Sequence, residues 1–411
     1  MISASLCVRC KGKLLCGAQK CAVLEHYSSL RKTTSLIKGR AFEGSSPPSV
    51  FVSWKNYPNI SIAPLAPAIV DEKNSLLDAP EQWYGFHPDR IVSMREQLIQ
   101  SNARINAFEA ANPSYELLDL QEIVMAEKPV ELEIELQHKP LPSLSFHESV
   151  APMGPQASLE SMALVSNPRI PKKVDYLVSD VSVKSNDALL ELYAGGFPVS
   201  SLYKLLSSGA LGVKKNRRLV PTRWSITAVD SNISKNMVEE KIKGAQQISD
   251  FRLFHSNYLD NDFWVLLLPS AWSFEQLETW LPGGIWTREA KEYSIVHDHE
   301  FYEGRKDYAT NVEGAYYSAR LAVAEYLVKE KRQAAAIVFR EIGEGYSIPL
   351  GVWQIRENVR HALLEKPLIF YSLDLVLSYL SQKLRVPIAQ YKKESALFDA
   401  LKNQKRLADF S

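Results

Sequence analysis

Three groups of residues in this chain have types and spacings that can do chemistry. The first is His297-Asp-His-Glu300, with Arg305 and Asp307 close behind. Alternate side chains of an extended segment share a face, so His297 and His299 fall on one side and Asp298 and Glu300 on the other. Two imidazoles at that spacing can bind a transition metal. Imidazoles and carboxylates near a cation can also act as acid and base on a phosphoester. His297, Asp298, His299 and Glu300 are therefore the catalytic candidates, against the plainer reading of a hydrogen-bonded strand end. The second group lies in KKNRRLVPTRWSITAVD, residues 214–230. Lys214, Lys215, Arg217, Arg218 and Arg223 fall within ten residues that contain no acid. Arginine presents a fork of donors that matches phosphate oxygens, so this stretch is the phosphate-binding candidate; the plainer reading is a solvated loop.

The third group is Cys7-x2-Cys10-x5-Cys16-x4-Cys21, which holds all four cysteines of the chain. A secreted, disulfide-stapled protein would spread them more widely. Four thiolates at short spacing can close a tetrahedral shell around structural zinc, with Gly12 and Gly17 allowing tight turns between them. An iron–sulfur cluster would use the same ligands, and the spacing does not separate the two. A closed shell leaves no open coordination position, so the expected role is a folding staple. Arg9, Lys11, Lys13 and Lys20 would give it a phosphate-facing surface.

The elements that must position these groups follow from periodicity. Pro129–Leu136 alternates Val130, Leu132, Ile134 and Leu136 with Glu131, Glu133 and Glu135, a strand with one buried face. Residues 29–38 have helical character, and Val50–Trp54 reads as a strand. The segment 56–67 is too proline-rich for regular structure. Residues 88–108 read as a helix opening on proline. Residues 139–173 read as a long loop, and 187–193 and 200–207 as short helices closing at glycine. Trp224–Val229 reads as a short buried strand at whose mouth the cations sit. Residues 234–248 are helical; 252–258 and 263–268 form a hairpin across Leu259–Asp262. Residues 273–281 read as a short helix ending at Pro282-Gly-Gly284, the expected domain boundary.

Beyond it, Tyr293–Glu300 is a strand. Thr310–Glu313 reads as a capping box opening a helix with Val312, Ala315, Tyr316, Ala319, Val323, Tyr326 and Leu327 on its apolar stripe. Ala334–Arg340 is a buried strand, and 353–364 and 373–384 are helices. Gly343-Glu-Gly345 does not complete a dinucleotide-binding loop and precedes no helix. Strands alternating with helices predict a mixed α/β (α+β) fold.

At 411 residues the chain is long for one core, and two domains with small appendages are expected. The predicted divisions are 1–28 (four-Cys zinc module), 29–284, 285–395, and 396–411 (charged helix and flexible tail). Lys and Arg total 48 against 47 Asp and Glu, a net charge of +1, which excludes bulk charge-driven coating of nucleic acid. No apolar run reaches membrane-spanning length, and MISASLCVRCKGK lacks a signal-peptide core. A soluble cytoplasmic protein with no membrane partner is expected.

The last eight residues, Gln404-Lys-Arg-Leu407-Ala-Asp-Phe410-Ser411, resemble the peptide (PIP motif) by which replication and repair proteins plug into the DNA sliding clamp (PCNA). One helical turn would place Leu407 and Phe410 together as anchors, with Gln404 beside them; Ser411 stands where that pattern has a second aromatic. The whole chain resembles the archaeal Nre family of DNA repair proteins. The resemblance rests on the four-Cys N-terminus, Ser45-Ser-Pro-Pro48 before Val-Phe-Val, the string Lys215–Val229, Phe301-Tyr-Glu-Gly-Arg305 leading to Tyr308-Ala309, and the tail. It implies a role in DNA damage repair, a zinc module, and recruitment to the clamp and hence to nucleoid DNA, where other repair proteins would be further partners. The resemblance supplies no reaction, and whether the protein is an enzyme is left open. The competing reading is a metal-dependent hydrolase of DNA ends, nucleotides or an adduct, built on His297, Asp298, His299 and Glu300. A pure adaptor is the third.

Overall fold

A computed structural model of the chain describes residue 13 and residues 21–142, 153–284, 287, 290–346 and 348–403. Among the described residues the strands form two six-stranded sheets. The chain divides into two compact units, one up to Asn232 and one from Ile233. The mixed α/β character expected from the sequence is therefore found, with one sheet in each unit.

In the N-terminal unit the strands are β1 (Ala41–Ser46), β2 (Val50–Val52), β3 (Asn59–Ala66), β4 (Ile99–Asn106), β5 (Val130–Leu136) and β6 (Gln156–Leu164), in the order β1-β5-β6-β4-β3-β2. β5 keeps its alternation: Val130, Leu132, Ile134 and Leu136 are buried, while Glu131 and Glu133 are exposed. Helices α1 (Ala22–Ser35), α2 (Pro88–Glu96), α3 (Tyr115–Met125), α4 (Lys172–Ser179), α5 (Ser185–Ala194), α6 (Val199–Ser207) and α7 (Thr222–Met237) accompany this sheet, and the division between units falls within α7. A buried ion cluster ties the pieces together. Asp78 accepts from Lys204 Nζ of α6 at 2.8 Å and also from Arg95 Nη1 of α2 and Ser49 Oγ. Burial alone would raise the Asp78 carboxyl; the two cations and the hydrogen bonds outweigh it and hold the group below the usual carboxylate range.

The C-terminal unit contains β7 (Phe251–Tyr258), β8 (Asn261–Leu268), β9 (Ser273–Trp280), β10 (Ser294–Glu300), β11 (Ala335–Ile342) and β12 (Leu368–Phe370), ordered β10-β9-β11-β8-β7-β12. Its helices are α8 (Gly314–Glu330), α9 (Trp353–Leu364), α10 (Leu373–Ser381), α11 (Ile388–Glu394) and α12 (Ala396–Asn403). One face of the sheet packs on α8 and α9 through Val265, Phe274, Val338, Tyr316, Val323 and Val359. The other packs on α10, α11 and α12 through Leu266, Leu277, Ile337, Leu380, Tyr391 and Phe398. Covering on both faces explains why β8 and β11 are buried throughout, with the apolar runs 263–268 and 335–339 along most of their length and the polar Asn261, Asp262, Arg340 and Glu341 buried at one end.

Several expectations are corrected. Trp224–Val229 is helical rather than a strand: Ser225, Val229 and Ile233 are buried at four-residue spacing, and the Trp224 and Ser225 amides donate to Pro221 O. In place of the short helix expected over 273–281, Ser273–Trp280 form β9. β9 is hydrogen-bonded to β10 on one side and β11 on the other, so even its Glu275, Gln276 and Glu278 are buried, and local polarity gave no sign of a central strand. The proline-rich segment contains β3, whose pairing to β4 lapses only at Ala63 and Pro64. The helix expected over 88–108 stops at Glu96 and gives way to β4, and β6 lies within the expected loop 139–173. The capping box at Thr310 does not form. Glu313 has φ +55°, α8 begins after it, and the Asn311 and Val312 amides are taken by Asp298 instead. Pro282–Gly284 connects β9 to β10 inside one sheet rather than separating two folds.

Candidate functional site

Antiparallel pairing sets the geometry around the two histidines. β10 lies on β9 with His299 opposite Glu275, His297 opposite Leu277, Asp298 opposite Gln276 and Glu300 opposite Phe274. Alternation then separates the four catalytic candidates into two environments. Asp298 and Glu300 point to the α8 face and are consumed there. Asp298 accepts from Arg305 Nη2 at 3.0 Å and from the Asn311 and Val312 amides at 2.9 and 2.8 Å. Glu300 accepts from Arg320 Nε at 2.8 Å and Nη2 at 2.7 Å, and from Trp272 Nε1 at 2.9 Å. Both are buried, paired carboxylates that pin loops and a helix onto the sheet; they do not share a site with the imidazoles.

His297 and His299 lie on the opposite face, their rings stacked at 5.9 Å and 15°. The strand pairing brings them a carboxylate the sequence reading missed. Glu275 is fully buried, and its oxygens accept from the Ala396 and Leu397 amides at 2.8 and 3.2 Å and from Ser395 Oγ, at the start of α12. His297 Nδ1 stands 3.0 Å from Glu275 Oε1. The Glu275, His297 and His299 donor atoms all lie within 4.8 Å of one another, the one such group among the described residues. Glu275 raises the His297 imidazole above its ordinary pKa, whereas burial lowers that of His299.

The basic stretch lies in the N-terminal unit. Lys214–Asn216 form a single 3-10 turn. Beyond it the chain is pinned by Leu219 N to Ala107 O at 2.8 Å and by Val220 N to Ser207 O at 3.0 Å. Leu219 is fully buried, while Lys214, Lys215, Arg218 and Arg223 remain exposed. Arg217 is different: its Nε donates to Gly212 O at 2.8 Å and its Nη2 to Val178 O at 2.6 Å, so its guanidinium serves the fold. The hydrogen bond to Ala107 places the cations beside the turn 107–111, which carries Phe108. Phe108, Tyr57 and Trp224 form a row of rings, at 6.5 Å from Phe108 to Tyr57 and 5.4 Å from Tyr57 to Trp224. Phe108 is 55% and Trp224 49% exposed. The ring row is not legible in the sequence, because its members are 50 residues or more apart in the chain and the pattern around Trp224 predicts a buried strand.

Of the four-cysteine cluster, Cys21 is half-buried just before α1; Cys7, Cys10 and Cys16 lie outside the described residues, as do Gln404, Leu407 and Phe410 of the tail. Among the described residues no helix is long and apolar enough to cross a membrane.

Residues 15–287 match the family model described as archaeal Nre, N-terminal, and residues 300–410 match archaeal Nre, C-terminal. The chain belongs to the archaeal Nre family. The junction of its two sequence modules falls close to the expected boundary at 284, although β7–β9 and β10–β12 build one sheet. Among curated relatives, DNA repair protein NreB of Archaeoglobus fulgidus is 36% identical over 391 residues, 95% of this chain and 96% of the relative. DNA repair protein NreA of the same organism is 37% identical over 377 residues, 92% and 93% of the two chains. NreA of Haloferax volcanii is 36% identical over 362 residues, 86% of each. No solved structure matches this chain.

Proposed function

We propose that this Nre protein is a DNA repair factor whose N-terminal unit contacts DNA through the 214–223 basic stretch and the adjoining ring row. The observation that carries the reading is the combination of four exposed cations with the rings of Phe108, Tyr57 and Trp224 on connected segments. Cations hold a phosphate backbone, and exposed rings accept unpaired bases by stacking. Relatives named as DNA repair proteins across nearly the full length support the setting.

A nearly neutral protein binds DNA weakly unless its local concentration is raised. In this reading the tail residues Gln404, Leu407 and Phe410 supply that by engaging the sliding clamp. Cys7, Cys10, Cys16 and Cys21 hold a structural zinc that adds a second, basic contact. The experiment is fluorescence anisotropy of labelled single-stranded and duplex oligonucleotides with the full chain and with a Lys214, Lys215, Arg218 and Arg223 to Gln variant. It runs beside calorimetry of the organism's own clamp against the full chain and a chain ending at Asn403. The reading expects DNA affinity to fall in the charge variant alone and clamp binding to vanish in the shortened chain alone. Unchanged DNA affinity in the charge variant removes the interface; clamp binding that survives shortening removes the recruitment step.

A further inference from the structure

We propose that Glu275, His297 and His299 bind one divalent transition-metal ion of the zinc class on the C-terminal sheet, a site independent of the DNA-contact reading above. Two imidazoles and one carboxylate are the ligand set that catalytic zinc sites use with a fourth position left to water. Imidazole-rich sets select first-row transition ions over magnesium or calcium.

The arrangement has the features that distinguish a built site from chance proximity. Glu275 is fully buried, and three donors at the start of α12 fix its two oxygens. Such outer contacts orient a ligand and are what a metal site requires of its second layer. His299 lies directly across the ladder from Glu275, and β10 is the edge strand, so both ligand strands are held by the same backbone pairing. His297 Nδ1 is buried and forms an ion pair with Glu275 Oε1 at 3.0 Å, so imidazole and carboxylate already face each other as two ligands of one ion would. Four tetrahedral donors around zinc stand about 3.4 Å apart, and the three here lie within 4.8 Å of one another.

The surrounding charges balance toward a cation. Besides Glu275, Glu394 adds negative charge near His297, while Arg305 and Asp298 neutralise each other on the opposite face and Arg305 also donates to the His299 carbonyl. His297 and His299 are only partly buried, which leaves the ion a side open to water. A cleft of about 250 Å³ lined by Ser273, Phe301 and Leu397 is separated from the three ligands by the Phe301 ring, which lies 5.1 Å from that of His299. An ion with an open position can polarise a bound oxygen or lower the pKa of its water.

The test is titration of metal-stripped full-length protein with Co²⁺, followed by displacement with Zn²⁺. Thiolate ligands give cobalt a sulfur-to-metal charge-transfer band, whereas this site gives only ligand-field absorption, so the two sites are read separately. The wild type should take up one equivalent more than His297→Ala or His299→Ala, and that equivalent should lack the charge-transfer band and yield to Zn²⁺. Equal uptake by wild type and both variants, or a wild type in which every bound cobalt carries the thiolate band, overturns the proposal. The second outcome decides even if the alanine forms fail to fold. Uptake of Mg²⁺ in place of Co²⁺ and Zn²⁺ overturns it also.

Discussion

Replacing Trp224 with alanine tests whether the ring row reads unpaired bases. The side chain sits in the first turn of α7, half of it covered and 49% exposed, with its ring 5.4 Å from Tyr57 and tilted by 50°. Losing that ring pair costs the fold about 0.5–1.5 kcal/mol, in addition to the apolar area of the covered half of the side chain. A base stacked on an aromatic side chain contributes roughly 1–3 kcal/mol. Since each 1.4 kcal/mol is tenfold, single-strand affinity should fall by roughly 5- to 150-fold. Bases in intact duplex are stacked on one another and do not present a free face, so duplex affinity should change by less than about twofold. Anisotropy with a thymine single strand, the matching duplex and a duplex carrying a mismatch bubble separates these outcomes, and Tyr57→Ala should follow the same pattern. Equal losses on single strand and duplex, or no loss on the single strand by a folded variant, would refute stacking and leave only the cations.

Other consequences follow from the buried groups. The folded pKa of Asp78 is lowered, so its stabilisation is complete above the ordinary aspartate range and is lost as pH falls through the folded value. Urea unfolding at pH 7 and pH 3 should show a smaller fall in Asp78→Asn than in the wild type, Asp262 still titrating in both; that variant should be destabilised at pH 7 by about 3–5 kcal/mol with the charges of Lys204 and Arg95 uncompensated. Arg320→Met strands the buried Glu300 and should cost a similar amount in thermal denaturation, without altering DNA affinity. Gly209 has φ +68°, and a Cβ there would lie 2.6 Å from Ala110 Cβ and 2.9 Å from Arg218 O. Gly209→Ala should therefore destabilise by about 1–3 kcal/mol and weaken DNA binding by displacing Arg218, measured by melting and anisotropy together.

The sequence made some of this plain and hid the rest for identifiable reasons. Strand alternation alone put His297 and His299 on one face, and the structure keeps them there. Glu275 was invisible because it comes from β9, a strand whose buried polar residues look helical until their partners on β10 and β11 are known. The hairpin across Leu259–Asp262 was legible because its strands are adjacent, and Leu259 and Asp260 take the left-handed conformation a tight turn needs. The exposure of the basic stretch was legible, but the diversion of Arg217 to the carbonyls of Gly212 and Val178 was not, since Val178 lies on α4. Trp224–Val229 misled because β-branched residues beside a proline suggest a strand, whereas burial at every fourth position belongs to a helix packed on one side.

The salt dependence of single-strand binding tests the DNA interface most directly. Each cation that neutralises a phosphate on single-stranded DNA contributes about 0.7 to the slope of log K against log salt. With Lys214, Lys215, Arg218 and Arg223 exposed and Arg217 spent on the fold, the stretch should supply a slope of about −3. Replacing the four with glutamine should remove that share, and Arg217→Gln should leave it nearly unchanged while lowering stability. A slope that stays the same without the four side chains would place the DNA contact elsewhere on the protein and contradict the account.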